Sequence, residues 1–108
     1  MVNEKKIKIA GVTRTIRELT IKEILNLKAT PKGIEVADGF FNLDHEYAIG
    51  MLSFCSDMTA DEILKLGVRD YKAALDALVE VNADFFELWG KAMGKRETQS
   101  PSPRQSLG

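Results

Sequence analysis

The sequence predicts an α+β fold that is predominantly α-helical, with an N-terminal β-hairpin followed by three or four helices. Residues 5–9 and 12–16 alternate polar and apolar side chains on either side of Ala10-Gly11, which is typical of a hairpin. From residue 20 onward, apolar residues recur at helical spacing behind Thr-x-x-Glu start signals. A chain of 108 residues, 44% of them hydrophobic, favours one domain with a modest core.

The first helix begins at a capping box. Thr20 is the N-cap and Glu23 its partner, while Leu19 and Ile24 are spaced for a hydrophobic staple. We expect this helix to stop before Pro31. Residues 29–39 contain one proline and two glycines with little periodicity, which predicts a loop.

Residues 40–57 are predicted to form a core helix. Its apolar positions at helical spacing are Leu43, Tyr47, Ile49 or Gly50, and Phe54. A second capping box, Thr59 with Glu62, then predicts a short helix ending at Gly67.

Residues 68–93 form the longest periodic segment and predict one strongly amphipathic helix. The apolar side chains within about 60° of Tyr71 are Leu75, Leu78, Phe85, Phe86, Trp89 and Met93. Val79, Val81 and Leu88 widen the apolar arc to about 180°, more than a surface helix needs. The helix is therefore either deeply embedded or partly reserved for a partner.

Candidate partner-binding residues lie on this same helix. Asp76, Glu80, Asp84 and Glu87 form an acidic stripe, which serves either solubility or attraction of a basic partner. Asn82 lies near the centre of the apolar arc, as a hydrogen-bonded core residue or as a register-setting interface group. We select the stripe with Asn82, Phe86 and Trp89 as partner contacts, and assign Leu78 and Phe85 to the core.

Catalytic chemistry is not indicated. Asp44, His45 and Glu46 are consecutive, so on a helix their side chains diverge by 100° and cannot converge on one ion. The sequence has no Gly-rich phosphate loop, CxxC or HExxH motif. The single cysteine, Cys55, has apolar neighbours and is expected to be a buried, reduced thiol. We expect neither an enzyme nor a metal or cofactor site.

Charge is unevenly distributed along the chain. The net charge is −1, with +4 in residues 1–28, −8 in residues 29–90 and +3 in residues 91–108. This pattern favours solvated faces or, alternatively, a charged partner or self-association of basic ends with acidic middles. It is too weakly basic for nucleic-acid binding.

The sequence also gives expectations for location and for domain boundaries. No apolar run of membrane-spanning length and no signal-like N-terminus is present, which predicts a cytosolic protein. Residues 1–93 are expected to form the domain. Residues 94–108, polar and rich in Pro and Ser, are expected to form a flexible tail.

Several segments together resemble the small tail assembly chaperones of Mu-like and P2-like tailed bacteriophages. They are a basic opening strand, RELTIKEI at 17–24, FCSDMTADEILKL at 54–66 and DYKAALDALVEVNADFF at 70–86. The similarity spans roughly residues 5–90. The most specific piece is EVNADFF at 80–86, which lies in the long predicted helix.

The resemblance implies a non-enzymatic phage or prophage protein. Members of this family keep the long, coiled-coil-prone tape measure protein soluble in the host cytoplasm until tail tube subunits assemble around it. The expected partners are thus the tape measure protein, the tail tube protein and a longer form of the chaperone itself. That form arises in the family by programmed ribosomal frameshifting, for which Met93-Gly94-Lys95 permits a slippery codon sequence. The mature virion is not expected to contain the chaperone.

Two alternatives remain open at this point. One is a structural minor tail protein that uses the basic hairpin for strand addition. The other is a small bacterial adaptor unrelated to phage. Genes for a tail tube protein and a long coiled-coil protein on either side would favour the chaperone.

Overall fold

A computed structural model describes residues 2–91 and has the predicted α+β, mostly helical architecture. The strands are β1 (Glu4–Ile9) and β2 (Val12–Arg17). The helices are α1 (Ile21–Lys28), α2 (Pro31–Phe41), α3 (His45–Cys55), α4 (Ala60–Leu64), α5 (Val68–Val81) and α6 (Ala83–Trp89). None of the helices in this part of the chain is long and apolar enough to cross a membrane. The predicted tail at 94–108 lies outside the described residues.

The hairpin is antiparallel and turns at Ala10-Gly11, as predicted. Both turn residues have positive φ, 51° and 82°, which is the twist that a two-residue hairpin loop prefers. Ile9 and Ile16 lie on the same face of the hairpin and are buried. That face packs on α5, so the apolar arc of the long helix covers the protein's own hairpin.

Both capping boxes are confirmed. The Thr20 hydroxyl accepts the Glu23 N–H at 3.2 Å, and the Glu23 carboxylate accepts the Thr20 N–H at 2.8 Å. Thr59 and Glu62 make the equivalent reciprocal pair at 3.1 and 2.9 Å. Each box satisfies two of the N–H groups that a helix start leaves unpaired.

The predicted loop at 29–39 is wrong, because most of it is helix α2. The Thr30 hydroxyl accepts the Gly33 N–H at 2.9 Å, and Pro31 occupies the first helical position, where its missing N–H costs nothing. Gly33 and Gly39 are required by packing. A Cβ at Gly33 would collide with the Leu27 backbone, and one at Gly39 with the Tyr47 ring.

The core helix predicted at 40–57 also needs correction. Phe40 and Phe41 end α2, Leu43 turns the chain with a φ of 55°, and α3 begins after the N-cap Asp44. The buried face of α3 consists of Ala48, Met51, Leu52 and Cys55. The predicted face is the more open one, with Leu43 40% and Phe54 54% exposed.

The single helix predicted at 68–93 is interrupted at Asn82, which separates α5 from α6. Asn82 has φ −106° and ψ 22°, outside the helical range. Its backbone N–H is shared between the Leu78 and Val79 carbonyls, both at 3.2 Å. Leu78, Phe85 and Trp89 are buried, as the amphipathic pattern indicates, whereas Leu88 is 50% exposed.

Candidate functional site

The acidic residues predicted to attract a partner remain at the surface. Asp76 pairs with Lys72 at 3.2 Å, Glu80 with Lys5 at 2.7 Å and Glu87 with Lys91 at 3.3 Å. Asp84 is exposed, but the interruption at Asn82 lies between it and Glu80. Exposed ion pairs contribute little to stability, about 0–1 kcal/mol each, so a basic partner could replace the lysines at small cost.

Asn82 lies inside the protein. It is 1% exposed, and its Oδ1 accepts the Leu19 N–H at 2.8 Å while its Nδ2 donates to the Leu78 carbonyl at 3.0 Å. This amide joins α5 to the chain entering α1. In this conformation Asn82 offers no surface to a partner.

Trp89 is also buried, 2% exposed, and its indole N–H donates to the Asp38 carboxylate at 2.7 Å. Phe86 is half-buried, with its ring centroid 5.0 Å from that of Phe40 and 5.4 Å from that of Phe85. These aromatic side chains fasten α6 onto α2. The partner contacts predicted on the long helix therefore fall into two groups. The acidic residues are at the surface, whereas Asn82 and Trp89 are buried and Phe86 is half-buried.

The Asp44-His45-Glu46 cluster is used structurally. The Asp44 carboxylate accepts the Glu46 N–H at 3.1 Å, and His45 Nδ1 lies 2.9 Å from the Tyr71 hydroxyl. Within residues 2–91, no group of three His, Cys, Asp or Glu side chains is placed to hold a metal ion. Cys55 is buried, and desolvation raises the pKa of its thiol to about 12, so it is a poor nucleophile at neutral pH.

An open groove lies between α1, α2 and α3, where the sequence predicted a loop and a core helix. Its volume of about 630 Å³ falls in the range of about 300–1,000 Å³ common for binding pockets. All three helices line it. The lining residues are Glu23, Asn26, Leu27, Thr30, Lys32, Gly33, Val36, Gly50, Met51 and Phe54.

Two glycines, Gly33 and Gly50, line the groove. Gly33 lets α2 approach the Leu27 backbone of α1, which fixes how these two walls meet. On the opposite wall, a Cβ at Gly50 would meet nothing within 4 Å. Gly50 therefore leaves a notch in α3 that a larger side chain could fill without a collision at its Cβ.

Four of the residues that line the groove are large and apolar. Leu27 and Val36 are partly buried and Met51 is 4% exposed, while Phe54 is 54% exposed. A large exposed aromatic ring beside partly covered aliphatic side chains is typical of a surface that binds another apolar group.

Charges at one end of the groove are neutralised internally. Arg17 donates two hydrogen bonds to the Glu23 carboxylate, both 2.9 Å long, and its guanidinium lies 5.3 Å from the centroid of the Phe54 ring. The hydrogen bonds with Arg17 lower the pKa of Glu23, and the same pair raises the pKa of Arg17. The Phe54 ring thus lies beside a bidentate ion pair, which fixes the position of the Arg17 guanidinium.

A second polar cluster surrounds Lys32, on the α2 wall of the groove. Lys32 lies 3.5 Å from the Glu35 carboxylate and 6.0 Å from the centroid of the Tyr47 ring. The Tyr47 hydroxyl donates to Glu35, which raises the pKa of Tyr47 to about 12 and lowers that of Glu35. The charged groups of this cluster are thus paired with one another.

Sequence reasoning missed this groove because two of its walls were assigned incorrectly. Thr30-Pro31 was a usable signal, since a Thr N-cap followed by Pro commonly starts a helix. Ile34, Ala37 and Phe41 then follow at helical spacing. No local signal marks Gly50 as a groove residue, because that property depends on how α1, α2 and α3 are placed relative to one another.

No protein-family model, no curated protein and no solved structure matches this chain.

Proposed function

We propose that this protein is a non-enzymatic phage tail assembly chaperone. It acts in the cytoplasm of the infected host, binds the tape measure protein and keeps it soluble during tail assembly, and is absent from the mature virion. The proposal rests on the resemblance of residues 5–90 to this family and on one structural observation, the open apolar groove between α1, α2 and α3.

The groove supports the proposal because a chaperone for a coiled-coil-prone client needs a surface that covers exposed apolar helix faces. An amphipathic helix placed in a groove contributes side chains at i, i+3 or i+4, and i+7. Leu27, Val36, Met51 and Phe54 offer an apolar lining for such side chains. The acidic residues of α5 and α6 supply the charged exterior that keeps a complex soluble.

The charged residues that line the groove are Glu23 and Lys32. Glu23 is bonded to Arg17 and Lys32 lies 3.5 Å from Glu35. The groove therefore selects a client helix by its apolar stripe rather than by its charge. The interface proposed here lies on α1, α2 and α3. Asp84 and the other residues of the acidic stripe are a secondary contact, at which basic residues of a client replace the lysines of this chain.

Co-expression with the long helical protein encoded next to this gene tests the proposal. Wild type should increase the soluble fraction of that protein. Gly50→Leu, which fills the notch, should lose this effect. The matched control Gly50→Ala adds only a methyl group and should retain most of it. Circular dichroism of each purified variant verifies that the fold is intact.

Other outcomes would redirect the assignment. A soluble fraction unchanged by wild type, even when the frameshifted longer form is supplied, would overturn the chaperone function. Detection of the protein as a stoichiometric component of purified particles would instead establish the structural tail component.

A further inference from the structure

The hairpin has two edges, and the structure of residues 2–91 pairs only one of them. At the β2 edge, Ile16 forms an antiparallel bridge with Ser56, the residue that follows α3. Among these residues the sheet consists of β1 and β2 alone, so no strand pairs with the opposite edge of β1. Because β2 lies between β1 and Ser56, the free edge of β1 points away from the end of α3.

Alternate residues of β1 direct their backbone groups to this free edge. Residues of an antiparallel pair alternate between those that bond to the partner strand and those that do not. The two-residue turn makes Ile9 and Val12 a bonded pair, and the 2.9 Å bond from the Glu18 N–H to the Asn3 carbonyl continues the same alternation. The residues whose N–H and C=O groups point outward are therefore Glu4, Lys6 and Lys8, and we call them the β1 edge. All three are exposed, and outside the β1–β2 ladder no backbone group of residues 2–91 bonds to them.

The β1 edge carries two lysine side chains whose charge is not compensated by the described residues. Lys6 and Lys8 lie opposite Thr15 and Thr13 of β2, which are uncharged. Neither lysine forms a salt bridge within residues 2–91, whereas the neighbouring Lys5 is paired with a carboxylate of α5. Two unpaired cations thus stand beside unpaired backbone groups.

We propose that the β1 edge binds an extended segment of a partner protein in which acidic residues alternate with apolar ones. The segment adds to the hairpin as a third, antiparallel strand, and its acidic residues bond through their backbone groups to those of β1. Residues directly opposite one another have their side chains on the same face, so the acidic side chains lie beside Lys6 and Lys8. On the other face, an apolar side chain lies beside Ile7, which is only partly buried.

Charge favours this occupant over the two segments that the chain itself supplies. The hairpin, residues 4–17, carries five basic residues and one acid, so a second copy brings a surface of the same sign. Residues 92–108 carry three basic residues and one acid. Lysines on an exposed edge discourage pairing with another strand, whereas an opposite charge directly across strengthens it. The lysines therefore select an acidic strand by rejecting others.

NMR of the labelled full chain, titrated with two isomeric peptides, tests the main-chain contact. Both have the sequence acetyl-Gly-Glu-Val-Glu-Val-Gly-amide, and one is N-methylated on its glutamates, the other on its valines. The valine-methylated peptide should bind and protect the amides of Lys6 and Lys8 from hydrogen exchange, without changing those of Lys5 and Ile7, which already bond to β2. The glutamate-methylated peptide should bind about tenfold more weakly, because it lacks the donors that face β1.

Charge reversal tests the side-chain contact. The double variant Lys6→Glu/Lys8→Glu should bind the valine-methylated peptide at least about tenfold more weakly, and should instead bind the same peptide with lysine in place of glutamate. The matched control is Lys22→Glu/Lys28→Glu, which changes the net charge equally at two exposed lysines of α1. It should bind the acidic peptide as wild type does, because distant surface charges are screened at physiological salt.

Three results would overturn binding of an acidic strand at the β1 edge. They are equal affinity of the two methylated peptides, equal loss in the α1 control, and protection of the Lys6 and Lys8 amides by self-association without peptide, which would make a second copy the occupant.

The β1 edge does not depend on the proposed function, and the same variants separate the two. Lys6→Glu/Lys8→Glu leaves the groove unchanged and should still increase client solubility in co-expression. Gly50→Leu should lose that effect and still bind the acidic peptide, because Gly50 lines the groove and not the hairpin. Failure of the peptide experiments alone would therefore remove the β1 edge and leave the chaperone function in place.

Discussion

Helix α3 lies between two regions of the protein that differ in how completely they cover apolar side chains. On one side, which we call the closed side, β2 and α5 pack against α3, and Leu52 and Cys55 are only 0% and 1% exposed. On the other, the open side, Gly50 and Phe54 of the same helix face the groove. The closed side holds the fold together, whereas the open side leaves apolar surface in reach of a ligand.

The polar groups of the two sides differ in the same way. On the closed side, the buried Asn82 side chain accepts the Leu19 N–H and donates to the Leu78 carbonyl. On the open side, Arg17 with Glu23 and Lys32 with Glu35 form ion pairs in contact with solvent. Changes on the closed side should therefore mainly affect stability, and changes on the open side mainly affect binding.

Thiol labelling gives the largest expected difference between the two sides. Cys55, whose pKa is raised to about 12 by burial, should react with a thiol reagent at pH 8 roughly a thousandfold more slowly than an ordinary cysteine. Gly50→Cys in a Cys55→Ser background should label at an ordinary rate. Equal rates at the two positions, measured by mass spectrometry, would contradict the assignment of a closed and an open face on α3.

Removal of the buried amide is expected to have the next largest effect. Asn82→Ala leaves the Leu19 N–H without its buried acceptor and should lower the free energy of unfolding by roughly 1–3 kcal/mol. Asn26→Ala removes an exposed asparagine side chain from the groove and should change the free energy of unfolding by less than about 0.5 kcal/mol. Urea denaturation of both variants measures the difference. A loss at Asn82 no greater than that at Asn26 would show that the amide does not hold α1 and α5 together.

Alanine substitutions at the two glycines of the groove should change the stability of the protein in opposite directions. Gly33→Ala forces α2 away from the Leu27 backbone and should cost about 1–3 kcal/mol of stability. Gly50→Ala enters open space in a helix and should add about 0.5–1 kcal/mol. Thermal denaturation of the two variants compares them directly. The same sign of change for both would disagree with the packing described for the groove walls.

The pH dependence of the Arg17–Glu23 pair should be the smallest of these effects. Arg17 lowers the pKa of Glu23 in the folded protein below its ordinary value of 4.5. The pair therefore contributes fully above that pH, and its contribution disappears as the pH falls through the folded-state pKa. Glu23→Gln should be less stable than wild type at pH 7 and should approach it near pH 3. Urea denaturation at both pH values measures the gap, and a gap independent of pH would exclude this ion pair as its cause.

Local chemistry explains which parts of the fold were predictable. The hairpin is encoded by the alternation around Ala10-Gly11, and α1 and α4 by Thr-x-x-Glu boxes, because turns and caps involve residues only a few positions apart. The amphipathic pattern likewise identified the buried Leu78 and Phe85.

The remaining features depend on contacts between residues far apart in sequence. Gly33 and Gly39 resemble helix breakers locally, and only their packing against Leu27 and Tyr47 explains their place in a helix. At the interruption, the Asn82 side chain accepts the N–H of Leu19, 63 residues away. The groove requires the relative placement of three helices, which no spacing rule provides. This is why the predicted partner surface was placed on the long helix alone.

The hydrogen bond between Trp89 and Asp38 gives the protein an intrinsic optical reporter. Trp89 is the only tryptophan in the chain, and it joins α6 to the C-terminal half of α2. Its fluorescence thus reports whether α6 remains attached, without any label. The same helix also contributes Lys32, Gly33 and Val36 to the groove. A ligand can therefore be titrated into the groove while unchanged Trp89 emission shows that α6 is still attached to α2.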